Sequence, residues 1–176
     1  MHLLTPDPLP LVELGIAVFP LLPGGRLPAR PGWQRDCLRT PGEVAERWPR
    51  GANLGIGCWA NQLVILDLDV DDGVDGRCTL ESWCERLGVE WPDTFTVATP
   101  SGGSHLYFRA PAGCTIGSIS GGTTLLGQGI DTRGPGRGGR GGYVVGPGSI
   151  VNGKVYAIER DVPIAELPTW IADLLQ

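Results

Sequence analysis

The run Val64-Ile65-Leu66-Asp67-Leu68-Asp69-Val70 closes an apolar strand on two aspartates one residue apart. Alternate residues of a strand point to the same face, roughly 6.5–7 Å apart. Asp67 and Asp69 therefore aim two negative charges at one place, and such a pair repels itself unless a cation lies between. Mg2+ is held by one or two carboxylates together with phosphate oxygens and water, so the pair predicts a metal site that handles phosphates. A solvated strand end is the plainer alternative. A calcium loop fits poorly, because its glycine position is Asp72 and its closing acid position is Cys78. Asp71, Asp72 and Asp75 read instead as a turn and the cap of the next helix.

A second constellation is Thr99-Pro100-Ser101-Gly102-Gly103-Ser104-His105-Leu106-Tyr107-Phe108. Paired glycines let a backbone approach a ligand closely, and Ser101 and Ser104 offer hydroxyls. His105 opens an alternating strand, with Leu106 and Phe108 on one face and His105 and Tyr107 on the other. An imidazole beside a metal-bound triphosphate can donate to a phosphate oxygen or shuttle a proton; a satisfied structural histidine is the bland alternative. The third is Gly129-Ile130-Asp131-Thr132-Arg133-Gly134, a strand end that adds a carboxylate at Asp131 and a charge for phosphate at Arg133. Alone, Asp131 reads equally well as a turn residue.

These groups need a sheet to hold them. Leu9–Ile16 predicts a helix stopped by Gly15, and residues 22–34 a proline-rich extended loop closed by Trp33. Thr40-Pro41-Gly42-Glu43 is a helix start with a capping box, running to about Trp48. Asn53–Gly57 and Leu63–Val70 read as consecutive strands joined by a tight turn at Ala60-Asn61. Asp75–Leu87 is a helix that Gly88 ends. Phe95–Thr99, Ser104–Arg109, Thr123–Leu126, Tyr143–Val145 and Val155–Ile158 read as further strands, and Pro163–Leu175 as a closing amphipathic helix. The class is α+β with a mixed or mostly antiparallel sheet.

The chain's 176 residues suit one domain, residues 1–176. No apolar run approaches the ~20 residues of a membrane span. The opening Met1-His2-Leu3-Leu4-Thr5-Pro6 lacks a charged leader, which argues for the cytoplasm. Five cysteines without a Cys-x-x-Cys pair, and His2 and His105 as the two histidines, give a zinc cluster little to work with. The net charge of −5 argues against a general nucleic-acid coat. Its distribution is uneven: residues 61–99 carry nine acids and two arginines, and residues 100–160 six basic residues and two acids. An acidic segment that collects metal, followed by one that favours phosphate, suits a nucleotide enzyme. Solvated faces of an ordinary soluble protein would give the same charges.

Taken together, the three constellations resemble the archaeo-eukaryotic primase core. The surrounding words occur in matching order: Val18-Phe19-Pro20-Leu21, Pro28 and Trp33, Asn53-Leu54-Gly55-Ile56-Gly57, Leu66-Asp67-Leu68-Asp69, then Gly141-Gly142-Tyr143-Val144-Val145-Gly146-Pro147-Gly148-Ser149. Over roughly residues 10–160 the chain is similar to the N-terminal domain of bifunctional DNA primase/polymerases, the prim-pol family of plasmids, phages and bacterial mobile elements. The resemblance implies the prim-pol fold, an RRM-like mixed sheet flanked by helices. It implies primer synthesis or DNA extension by nucleotidyl transfer, with two Mg2+ or Mn2+ ions held by Asp67, Asp69 and Asp131. His105 matches the nucleotide-contacting histidine, and Ser101, Gly103, Ser104 and Arg133 fall at phosphate-contacting positions. Gly103 stands where the family often has a small hydroxyl residue, and Arg26 is separated from the first-loop proline, Pro28, by Leu27. The implied partners are nucleoside triphosphates and a single-stranded DNA template along the basic second half, with Trp33, Trp59 or Trp91 as stacking platforms. A helicase would be fused or separately encoded, since the chain has no Gly-x-x-x-x-Gly-Lys-Ser/Thr loop. Two rival readings are a catalytically silent nucleic-acid or nucleotide binding module, and a sugar-nucleotide transferase using Asp-x-Asp, which leaves His105 and Asp131 unexplained.

Overall fold

A computed structural model describes residues 5–121 and 123–176; the Met1–Leu4 opening, with His2, and Gly122 of the glycine-rich stretch lie outside them. The elements in chain order are α1 (Leu9–Glu13), β1 (Phe19–Leu21), α2 (Pro41–Arg47), β2 (Asn53–Gly57), α3 (Cys58–Asn61) and β3 (Leu63–Leu68). There follow a hairpin of β4 (Val70–Asp71) and β5 (Val74–Asp75), then α4 (Gly76–Leu87), β6 (Thr96–Ala98), β7 (Ser104–Arg109), β8 (Ile130–Arg133) and β9 (Tyr143–Val145). A second hairpin of β10 (Ile150–Val151) and β11 (Lys154–Val155) leads to β12 (Ala157–Arg160), β13 (Ala165–Glu166) and α5 (Thr169–Leu175).

Three layers result. The main sheet has the order β12-β6-β7-β3-β8, antiparallel throughout, with β13 added parallel to the far end of β7. A smaller sheet, β1-β2-β9, packs on one face. Alternation along the central strands sorts the side chains. Leu63, Ile65 and Tyr107 join Phe19, Leu21, Leu54, Ile56 and Val144 in a core between the two sheets. Val64, Leu66, Leu68, Leu106 and Phe108 face the other way and pack with Leu80 of α4 and Ile171 of α5. Side chains buried this fully contribute roughly 1.5–3 kcal/mol each, which makes β3 and β7 the axis of the domain. Among the described residues no helix is long and apolar enough to cross a membrane.

The local signals operate as their chemistry requires. Thr40 accepts from Glu43 N at 3.2 Å while the Glu43 carboxylate accepts from Thr40 N at 3.0 Å, closing the capping box. Thr40→Ala is expected to cost about 1 kcal/mol and to lower the melting temperature by roughly 2–4 °C, read by thermal denaturation. Asp75 caps α4 by accepting from Arg77 N at 2.9 Å and Cys78 N at 3.3 Å. Gly88 ends that helix in the left-handed region at φ +66°.

Several expectations need correction. The segment between β2 and β3 is a helical turn, α3, closed by Gln62 at φ +50°. Its two flanking strands lie in different sheets and do not pair. Asn61 holds this crossover, its carboxamide bonding Ala17 N and O at 2.8 and 2.9 Å. Residues 123–126 form a turn, not a strand. The strand expected at Val155–Ile158 breaks at Tyr156, which returns two backbone bonds to Gly148 and Ser149. The last helix starts at Thr169 because β13 occupies the chain before Pro168.

Candidate functional site

The apolar face between the two sheets turns polar at one end. Down β3 it reads Leu63, Ile65, Asp67; the antiparallel register sets Asp67 opposite His105 on β7 and opposite Asp131 on β8. Three chemistry-bearing side chains from residues 67, 105 and 131 therefore stand abreast on the three central strands, on one face. Arg133, two residues past Asp131, takes the same face beside Ile65. Like charges directly opposite on neighbouring strands repel, and the neighbours answer this. His105 Nε2 stands 3.4 Å from Asp67 Oδ1, while Arg133 Nη2 lies 3.9 Å from Asp67 Oδ2 and 3.7 Å from Asp131 Oδ2. His105 is 5% exposed, Asp131 7%. Burial pushes the Asp67 carboxyl up, but the His105 hydrogen bond and the charges of His105, Arg133 and Arg26 outweigh it and hold the group below its usual range.

Asp69 follows one step beyond β3 on the same side, exposed, with its backbone tied to Gly129 O and Gly76 N, each at 2.8 Å. Burial, then the charges of Asp67 and Asp131, push its carboxyl above the usual range. The two aspartates thus have opposite signs in stability. A folded-state value above the unfolded one penalises the charged form, so the Asp69 charge costs stability at neutral pH, and that cost fades on acidification. Asp67, depressed, stabilises the fold above its unfolded value and loses that contribution as pH falls through its folded value. In metal-free protein with chelator, Asp69→Asn is expected to raise the melting temperature at pH 7 and to give a smaller gain near pH 4. An equal gain at both pH values would contradict the clustering of charge.

Two openings lie beside these residues. A pocket of about 280 Å³ between the sheets is lined by Asp67, His105, Arg133 and Arg26, with Tyr143 and Tyr156 as walls. A broader cleft of about 770 Å³ holds Asp69, Asp71 and Ser101, with Gly121, Gln128 and Gly129 across from them. Of the residues singled out by sequence, Asp67, His105, Asp131 and Arg133 come together, and Asp69 and Ser101 share the neighbouring cleft. Ser104 does not join them. Alternation turns it to the opposite face, where its hydroxyl donates to Glu159 at 3.1 Å and accepts from Arg77. Gly103 lies in the turn behind, its carbonyl accepting from Thr99 N at 3.0 Å. Trp33, half-buried, stacks on Phe19 at 4.6 Å and meets Tyr143 edge-on at 4.8 Å, whereas Trp91 is exposed.

Arg26, the basic residue before the first-loop proline, enters this pocket, and Tyr143 and Tyr156 are additions that the sequence did not single out. One signal was available: residues 22–50 carry six arginines against three acids, a second basic segment besides the one at 100–160. The donor set suits a hard cation in its chemistry, since carboxylate oxygens are what Mg2+ and Mn2+ prefer. Among the described residues, however, no group of three or more His, Cys, Asp or Glu side chains is placed to hold a metal ion. An ion held here would be open-sided, with room for the phosphate oxygens and waters that Mg2+ keeps.

A family model for the N-terminal domain of bifunctional DNA primase/polymerases matches residues 9–170. No curated protein matches the chain.

Proposed function

Because the chain belongs to the bifunctional DNA primase/polymerase N-terminal family, we propose that it is the catalytic domain of a template-directed nucleotidyl transferase that makes primers, extends DNA, or does both. The observation that carries this reading is the row His105–Asp67–Asp131 across the central strands, with Asp69 and Arg133 beside it. The strand order β6-β7-β3-β8, with α4 between β3 and β6, supports an RRM-like arrangement.

Asp67, Asp69 and Asp131 would hold two divalent ions, Mg2+ or Mn2+, which when bound activate the attacking 3′-hydroxyl and neutralise charge on the phosphates. The chain's own groups do the rest. Arg26 and Arg133 place positive charge in the inter-sheet pocket, sized for a polyphosphate tail rather than a whole nucleotide. His105, oriented by the 3.4 Å contact of its Nε2 with Asp67, lines the same pocket, and its Nε2–H would turn to a phosphate oxygen when Asp67 engages a cation. The wide cleft past Asp69 and Ser101 leaves space for the nucleoside and the end of the growing strand.

The five free thiols support a reducing compartment, the cytoplasm. Residues 1–176 are proposed as one catalytic unit, with unwinding supplied by a helicase from another domain or chain. The deciding experiment is labelled-nucleotide incorporation on single-stranded template with Mn2+ or Mg2+, with and without primer, beside Asp67→Ala/Asp69→Ala. Synthesis that the double variant loses supports the polymerase, and primer-free product adds priming. Template or nucleotide binding without synthesis favours the silent binding module.

A further inference from the structure

Four of the arginines that do not line the pocket gather on one surface. The Arg35 guanidinium lies 5.5 Å from the Trp59 ring centre and donates to the Gly138 carbonyl at 3.2 Å. A Cβ on Gly139 would stand 3.2 Å from Arg35 Nε and 3.6 Å from the Trp59 ring, so the tip of the 134–142 loop rests on this pair. Arg39 reaches the same place, donating at 3.2 Å to the carbonyl of Ala60, the residue after Trp59. Arg137 and Arg140 flank the loop tip, and both are exposed. Two segments far apart in sequence, 35–39 and 137–140, thus meet beside Trp59.

Two further facts bear on what this surface does. Among the described residues no carboxylate lies within ion-pair distance of Arg35, Arg39, Arg137 or Arg140. The nearby Asp36 is paired with Arg47 and Glu43 accepts from the backbone of Arg39 and Thr40, so neither carboxylate pairs with these four guanidinium groups, and cations grouped this way favour an arriving anion. The patch is also continuous with the site. Gly142 N donates to Gly134 O at 3.0 Å, Gly142 O accepts from Cys58 N at 2.9 Å, and a Cβ on Gly142 would stand 3.3 Å from Arg133 Cδ. The loop therefore leaves from and returns to the wall of the pocket that holds Asp67 and His105.

We infer that Arg35, Arg39, Arg137 and Arg140, with Trp59 among them, grip the sugar-phosphate backbone of a single-stranded nucleic acid and lead it to the site. Guanidinium groups on two neighbouring loops contact phosphates without regard to base. The exposed Arg35 guanidinium, backed by Trp59, supplies a planar group on which a base can stack. A single strand fits this arrangement because its bases can turn out to stack, whereas a duplex keeps its base faces inside. That the gripped strand is the template rests on the polymerase reading; the grip itself does not.

The test is fluorescence anisotropy of a labelled oligodeoxythymidine of about 15 nucleotides, with chelator, over a salt series. The proteins are wild type, R35Q, R137Q/R140Q, and R86Q as a control arginine on α4, where it covers Trp83. R137Q/R140Q is expected to bind about tenfold more weakly and to lower the salt slope by about 1.4, since each phosphate contact to a single strand contributes ~0.7. R35Q should weaken binding as well, and R86Q should match wild type. Wild-type affinity and slope in R35Q and R137Q/R140Q would overturn the proposal, as would an equal loss in R86Q or tighter binding of the matching duplex. Nucleotide incorporation measured alongside separates the two readings. A wild type that binds through these arginines but incorporates nothing keeps the grip and loses the polymerase. A wild type that incorporates while R137Q/R140Q binds and extends equally well keeps the polymerase and loses the grip.

Discussion

Asp67→Asn is expected to lower the rate of nucleotide incorporation by about a thousandfold while leaving the protein folded and able to bind single strands. The side chain keeps its size, so the row of residues on the sheet survives. What goes is charge at the one position that touches all its neighbours: His105 at 3.4 Å, Arg133 at 3.9 Å, and Asp131 opposite in register. An amide binds a hard cation poorly and cannot hold His105 in one tautomer as a carboxylate does. Loss of a group that stabilises developing charge costs about 10²–10³ in rate, and here two functions fall together. Single-turnover incorporation at saturating template reads the chemical step, and a melting curve shows that the variant is folded. Activity within tenfold of wild type would sink the assignment of Asp67.

The second large effect is expected at Gly103. A Cβ there would stand 2.3 Å from the Leu68 carbonyl oxygen and 3.1 Å from the Thr99 hydroxyl. The nearer atom is backbone, in the strand that carries Asp67 and one residue before Asp69, and cannot swing aside as a side-chain tip would. Gly103→Ala must push the 99–103 turn away from β3 or shift Leu68, at a cost of about 2–3 kcal/mol. That corresponds to a fall of roughly 5–10 °C in melting temperature for a chain of this size. His105 and Asp69 flank the displaced contact, so incorporation should fall as well. The same contact explains the departure noted at this position, since a hydroxyl residue at 103 would bring the same Cβ. A melting temperature within 2 °C of wild type would mean that the turn yields freely.

Much of the site was legible because its residues obey short-range rules. Strand alternation placed Asp67 with Asp69, and His105 with Tyr107, on their faces, and the local capping chemistry of Thr40, Asp75 and Gly88 marked two helices. Ser104 shows where such rules stop. It sits beside His105 in sequence, yet alternation turns it to the far face, where Arg77 and Glu159 engage it. Those partners come from α4 and β12, and nothing near residue 104 announces them. Arg26 is the converse case, a loop residue with no periodicity that enters the pocket because β1 pairs with β2 in the smaller sheet.

By itself the sequence determined the α+β class, most of the elements, and the set of carboxylates, imidazole and guanidinium that the proposed chemistry needs. These depend on propensity, period and residue type, all local properties. The tertiary structure alone decided which strands pair, that β2 and β3 part into separate sheets, and that Asp67, His105 and Asp131 stand side by side. It also decided that arginines from residues 35–39 and 137–140 share one surface. Each of these is a meeting of distant segments, fixed by which apolar faces bury together, and no window along the chain contains both partners.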